Sequence, residues 1–308
     1  MNPSRGIALK IISTLVFTTM AVCVKLVAAR VPAGEIVFAR SFFALIPVIG
    51  MLLWQGVLAS SLRTSRPFLH ASRGAIGISA MGCSFTALGY LPLPEAMMIG
   101  YAAPLMVVAL SAIILHEVVR VYRWSATAVG FVGILIILWP RLTFFESGGL
   151  GGAAMIGATF ALVGAFSSAF ASIFVRSMTR TESTGAIVVY FSLIGSALAL
   201  LTLPFGWVMP GPGEAALLLA IGLLGGIGQI LMTTAYRHAD AATIASFEYV
   251  SMLWGLTFGY LVFGEVPSAG VILGGAFVIA AGIFIIFRER RLGLERERER
   301  RASRITPV

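Results

Sequence analysis

From the N-terminus to residue 287 the chain is a succession of apolar runs, separated by short loops. A helix needs about 20 residues to cross the hydrocarbon core of a bilayer. Ten runs qualify, near 6–29, 36–54, 71–91, 96–115, 121–139, 152–175, 185–205, 215–236, 241–262 and 269–287. In hydrocarbon the backbone amides must be paired inside the structure, so runs of this length read as helices. Of the 308 residues, 58% are hydrophobic and 11% charged, with a mean hydropathy of +0.96. A soluble domain carries about 25% charged residues, so too little polar material is present to coat a water-facing globule. The expected fold is an all-α integral membrane protein with ten transmembrane helices.

The N-terminus, with a charged start and an apolar middle, imitates a cleaved signal peptide. Its apolar stretch is too long for one, and it is read as the first span. The Lys/Arg bias sets orientation. With the N-terminus inside, the cytoplasmic connections hold Arg63, Arg66, Arg73, Arg120, Arg123, Arg176, Arg180 and Arg237, and the external ones only Arg30 and Arg141. This predicts N-in, C-in, with Trp54, Trp124, Trp139 and Trp207 as interfacial anchors. The net charge of +9 does not indicate nucleic acid, because the basic residues sit in short loops and in the tail. That tail, from 289 to 308, mixes arginines with Glu289, Glu295, Glu297 and Glu299, and reads as a solvated cytoplasmic segment with lipid contact as the alternative. Cys23 and Cys83 lie in apolar runs, imply no disulfide framework and read as small packing residues.

Two segments resemble each other. Thr86–Glu117 aligns without a gap on Thr234–Glu265, setting Thr86 on Thr234, Ala87 on Ala235, Tyr101 on Tyr249 and Glu117 on Glu265. Each is followed by one further apolar span. The repeat unit is therefore five helices, 6–140 and 149–288, and an odd number makes the second copy cross in the opposite sense. Inverted repeats of this kind place a substrate site near the midplane, where the halves meet.

The duplicated helix ends at LH-Glu117 and FG-Glu265, Pro104, the Ala-Arg40 pair, and the glycines of Val129–Gly133 and Leu273–Gly282 together give the chain a family likeness. It resembles the EamA-type branch of the drug/metabolite transporter superfamily over essentially its whole length. The second copy departs from the pattern, with Met252 where the first has Pro104. The resemblance implies ten helices around a central cavity, alternating access and secondary transport of small metabolites. The stretches Phe38–Pro47 and Phe247–Gly255 resemble the branch that holds riboflavin and S-adenosylmethionine importers.

Glu248 is the leading site residue. Its helical face carries Ala241, Ala245, Ser251, Gly255 and Gly259, while Phe247, Val250, Leu253 and Leu261 point elsewhere. An acid in an apolar span is paired, protonated or functional. It reads either as a structural acid bonded to a neighbouring helix or as a substrate-contacting or proton-coupling group. Arg40 is the candidate second contact or gate, through an ion pair with Glu35 or Glu95 or through an anionic or carbonyl group of the substrate. Lys25 reads equally as snorkelling or inward-facing. Glu95 opens a span and suits its N-terminus; Glu117 and Glu265 read as caps of their own turns and of the helices that follow. Tyr101, Tyr236, Tyr249, Trp254 and Gln229 are candidate cavity residues. Pro47 is expected to kink its helix, and the Gly222–Gly226 spacing to let helices approach closely.

Enzyme chemistry finds little support. His116–Arg120 begins like a zinc motif but lacks its second histidine. His70 and His238 are assigned to separate loops, and neither lysine lies in a phosphate-binding loop. No cofactor and no metal are expected. The expected partners are a small-molecule substrate and membrane lipid, with a homodimer as an open assembly. The expected function is secondary transport across a bacterial inner membrane, with import of riboflavin or a compound such as S-adenosylmethionine as the leading reading. Export of amino acids, metallophores or other metabolites is the alternative, and a non-transporting scaffold or channel is a second.

Overall fold

The computed structural model describes residues 3–64, 66–103, 105–107, 110, 121–143, 151–178, 182–238, 247 and 250–305. Among these no strand occurs. The helices are α1 (Pro3–Val27), α2 (Ala33–Trp54), a short α3 (Leu58–Ser61), α4 (Pro67–Tyr90), α5 (Leu93–Gly100), α6 (Val121–Thr143), α7 (Gly151–Met178), α8 (Thr184–Leu200), α9 (Pro212–His238), α10 (Val250–Phe263) and α11 (Ala269–Ile305). Most of the apolar runs thus become helices near their expected limits, while the runs 96–115 and 241–262 extend beyond the described residues. Proline stands at the first turn of α4 and of α5, where a missing N–H costs nothing. The Ser183 hydroxyl caps α8 by accepting from the Ala186 N–H at 3.1 Å. α2 runs unbroken through Pro47.

Ser4–Val27, Ala33–Trp54, Gly152–Phe174 and Pro212–Met232 are long and apolar enough to cross a membrane, and shorter apolar helices include Leu93–Val107 and Ala269–Phe284. Many large apolar side chains face outward, among them Leu53, Leu135, Leu253 and Ile272, each more than half exposed. In water that coat would drive aggregation; against lipid tails it costs nothing. Helices of this length and apolarity, with such a coat, are those of a multi-pass membrane protein. The tail is helical to Ile305, because α11 continues without a break from its apolar part into the charged residues.

Two large clusters hold most of the buried side, with a smaller one at Val48, Leu52, Val188 and Val189. One joins α1, α2, α4, α8 and α9 through residues such as Val24, Ile36 and Ile221. The other joins α5, α6, α7 and α11 through Met98, Leu105, Ile134 and Val278. The most extensive packing pairs α1 with α9, α4 with α7, and α6 with α11. Lipid offers no hydrophobic drive for helices to associate, so close backbone approach must hold them together. Gly222 lies against Phe43 and the Ala39 carbonyl of α2, and Gly226 against Pro47 and the Ala44 carbonyl, so this small-residue spacing does pack as read. The crossing of α6 and α11 is close on both sides. There a Cβ on Gly133 would meet the Gly274 carbonyl oxygen, and one on Gly274 would meet the Gly133 carbonyl oxygen.

Because both obstacles are backbone, neither helix can yield locally. Gly274→Val should therefore lower stability by about 1–3 kcal/mol. Gly82→Ala in α4, where the added methyl meets no neighbouring atom, should be neutral or slightly stabilising. Thermal midpoints of the detergent-purified variants, read by fluorescence-detected size exclusion, check both signs.

Candidate functional site

At one end of the bundle α10 stops at Gly264, whose φ of 65° only glycine adopts easily. The Gly264 N–H bonds to the Tyr260 carbonyl and the Glu265 N–H to the Gly259 carbonyl at 2.9 Å. This reversal turns Glu265 back across the bundle. Its Oε1 lies 2.7 Å from Lys25 Nζ at the last turn of α1. Its Oε2 accepts from the Leu93 N–H at 2.8 Å, at the first residue of α5. The Lys25 ammonium also donates to the Leu91 carbonyl at 2.6 Å and lies 5.1 Å from the Phe263 ring centroid. One carboxylate thus satisfies a helix N-terminus and a cation together.

The same end carries two further ties between early and late parts of the chain. Glu35 accepts from the Val208 N–H at 3.1 Å. Arg30 pairs with Glu214 at 3.1 Å, and Glu214 also accepts from the Gly211 N–H at 2.7 Å. Arg30 is mostly exposed, so its pair contributes at most about 1 kcal/mol. Lys25 and Glu265 are largely shielded, and loss of either would strand the other charge in an apolar setting.

These contacts bear on several expectations. Lys25, read equally as snorkelling or inward-facing, faces inward and is paired. Glu265 serves the helix at Leu93 rather than its own turn. Glu35 is engaged by Val208, and among the described residues no carboxylate pairs with Arg40. Glu95 lies in the first turn of α5 as read, although the Leu93 N–H there is satisfied by Glu265. His70 and Arg73 are not loop residues: both lie in the first two turns of α4. His70 is buried, 3.5 Å from Glu182, and its ring is tilted at 38° to that of Tyr190 with centroids 4.7 Å apart.

Deeper in the bundle Arg40 of α2 is 6% exposed and lies 5.3 Å from the Phe191 ring centroid of α8. Arg73 of α4 lies 3.7 Å from the same ring. Tyr101 is buried and its hydroxyl meets that of Ser251 at 2.5 Å, joining the chain beyond α5 to α10. The Trp254 indole nitrogen is buried without a hydrogen-bond partner. Gln229 is half-buried on α9. Ser251, Gly255 and Gly259 are buried while Leu253 and Leu261 are exposed, so the face expected to point inward does so along α10. Glu248, Tyr249 and Glu117 lie outside the described residues; Tyr236 lies on α9, but its side chain is not described.

Reading single residues missed a polar stripe on α1. Lys10, Ser13, Thr14 and Thr18 are all buried, with the hydroxyls bonded to carbonyls of the preceding turn. The four-residue spacing of 10, 14 and 18 was the available signal. A groove of about 410 Å³ beside α6 and α7, lined by Met106, Phe131, Leu162 and Phe166 among others, has no polar lining and offers a polar solute nothing to bind.

The EamA-like transporter family model matches twice, over residues 4–139 and 155–288. The chain belongs to the EamA-like transporter family. It is 31% identical to the pseudopaline exporter CntI of Pseudomonas aeruginosa, over 90% of this chain and 94% of that protein. It is 27% identical to the S-adenosylmethionine uptake transporter of Rickettsia prowazekii, over 93% and 94% of the two chains. It is 30% identical to the riboflavin transporter of Rhizobium johnstonii, over 84% and 83%. A crystal structure at 23% identity shares the fold, with a TM-score of 0.64 over 94% of this chain and 99% of its own. The protein is a membrane transporter rather than an enzyme.

Lys25→Gln and Glu265→Gln should each destabilise the bundle by roughly 2–4 kcal/mol, because each leaves one buried charge unpaired. The double variant should cost clearly less than the two losses added together. A double-mutant cycle on thermal midpoints in detergent measures that coupling; strict additivity would show that the pair is not energetically linked.

Proposed function

We propose that the protein is a secondary transporter that carries a small organic metabolite by alternating access. Ten spans form two inverted five-helix halves, N-in and C-in, with the substrate held where the halves meet. The double match of the family model supports two equivalent halves. So does the packing. Under the duplication α1 corresponds to α7, α2 to α8, α4 to α9, α5 to α10 and α6 to α11. α1 packs on α9 as α7 packs on α4, α2 on α9 as α8 on α4, and α1 on α10 as α7 on α5.

The observation that carries alternating access is the Lys25–Glu265 tie. It joins the last turn of α1 to the end of α10, one from each half, and is reinforced by backbone partners at Leu91 and Leu93. Under the N-in orientation this end is external, so the structure corresponds to an outwardly closed state. Opening exchanges a shielded ion pair for hydration of both groups, which is how a gate with two states of similar energy is built. Glu248, an acid within an apolar span, is our choice for the acid of the site, with Gln229, Tyr101 and Trp254 as further polar or aromatic groups.

The leading substrate reading is uptake of riboflavin or an S-adenosylmethionine-like compound, in keeping with relatives named for those activities. The likeness to a protein named as an exporter favours export of another metabolite as the second reading. Uptake of labelled riboflavin and S-adenosylmethionine by cells expressing the chain, compared with Glu248→Gln, tests the first. Accumulation of one compound should fall by roughly tenfold or more in the variant at equal expression. No accumulation of either, with efflux in a resistance screen, would support export. A green fluorescent protein fused to the C-terminus should fluoresce; activity of a periplasm-dependent phosphatase at that position would overturn the orientation.

A further inference from the structure

Two guanidinium groups sit together in the bundle, and among the described residues no carboxylate pairs with either. Arg40 comes from α2 and Arg73 from α4, and both lie over the Phe191 ring of α8, at 5.3 and 3.7 Å from its centroid. Arg40 Nε and Arg73 Nε and Nη1 are buried and have no hydrogen-bond partner. Glycines make the room: a Cβ on Gly225 of α9 would press on Arg40 Nε, and one on Gly77 of α4 would strike the Phe191 ring. Ser41 and Ser192, adjacent in sequence to Arg40 and Phe191, add two buried hydroxyls that also lack partners.

A lone buried arginine pairs with a carboxylate or reaches water. Two that share one ring, with no described carboxylate beside them, have donors free for an anion brought in by a ligand. The ring quadrupole helps orient them but does not neutralise them. A guanidinium presents a planar fork of donors that matches the paired oxygens of a carboxylate or phosphate.

We propose that Arg40 and Arg73, backed by Phe191, bind an oxyanion group, a carboxylate or phosphate, carried by the transported molecule or by a lipid headgroup. This deepens the transporter reading, on which it rests for the soluble source of the anion. It gives the substrate path a cation pair in addition to the acid at Glu248. A transported molecule with both a cationic and an anionic end would engage both.

The test uses the full-length protein in nanodiscs of phosphatidylcholine and reads the thermal midpoint by tryptophan fluorescence. Inorganic phosphate and succinate are titrated against chloride at matched ionic strength. The expected result is a saturable rise of several degrees in the wild type that is absent in Arg73→Gln and weakened in Arg40→Lys, which keeps the charge but not the fork. Without added oxyanion, Arg73→Gln should be at least as stable as the wild type, because one of two repelling charges is gone. A purely structural arginine would instead lower the midpoint on removal. A rise seen only when phosphatidylglycerol replaces part of the phosphatidylcholine assigns the site to a lipid headgroup and overturns the soluble source. No rise with any of the three, or equal rises in wild type and Arg73→Gln, overturns the site. Binding is read without transport, so either result leaves the uptake and efflux outcomes to stand separately.

Discussion

A charge largely shielded from water at the end of an apolar bundle needs a partner, and the placement of Lys25 opposite Glu265 follows from that. The ammonium finds a carboxylate and a carbonyl; the carboxylate finds a cation and an amide at a helix N-terminus. Four polar groups from α1, α5, the Leu91 turn and the end of α10 are satisfied at one point. The glycine that ends α10 is what permits it, since a helix running one turn further would carry Glu265 out of reach. The packing elsewhere obeys the same scarcity. Helices that gain nothing from excluding water must touch through backbone, and the α6–α11 and α2–α9 crossings are glycine contacts for that reason.

Much of this was legible in the chain itself. Span-length apolar runs admit one secondary structure in lipid, so the helices fall where the runs predict. The inward face of α10 was readable from the small residues Ser251, Gly255 and Gly259, because period-3.6 spacing fixes which positions share a side. The Gly222–Gly226 spacing named a close contact, though not its partner.

What stayed hidden were the pairings between distant segments. Nothing local tells Lys25 that its partner is Glu265 rather than Glu35 or Glu95, since all lie at span ends and all are acids. The choice is made by the reversal at Gly264 and by the lie of α10 against α1 and α5. Arg73 and His70 misled for a different reason. A basic residue near a span end usually reports topology. Here α4 begins at Pro67, so both side chains are carried inside the bundle by a helix that starts earlier than its apolar run. The amphipathic count that found the face of α10 would have found the buried stripe of α1 as well, had Lys10, Thr14 and Thr18 been weighed together and not singly.

The two charged clusters therefore do different physical work. Lys25–Glu265 is complete: cation, anion and backbone groups balance, so it can hold a closed end without any solute. Arg40 and Arg73 are incomplete, with buried donors unmatched among the described residues. On the proposed cycle that contrast has a direction. A balanced pair sets the resting closure, and an unbalanced one makes the interior state depend on what enters. A solute that completes the arginine pair adds binding energy only in the conformation that keeps both guanidiniums over Phe191. The solute shifts the population of states by that difference alone, and a molecule without an anionic group gains nothing there.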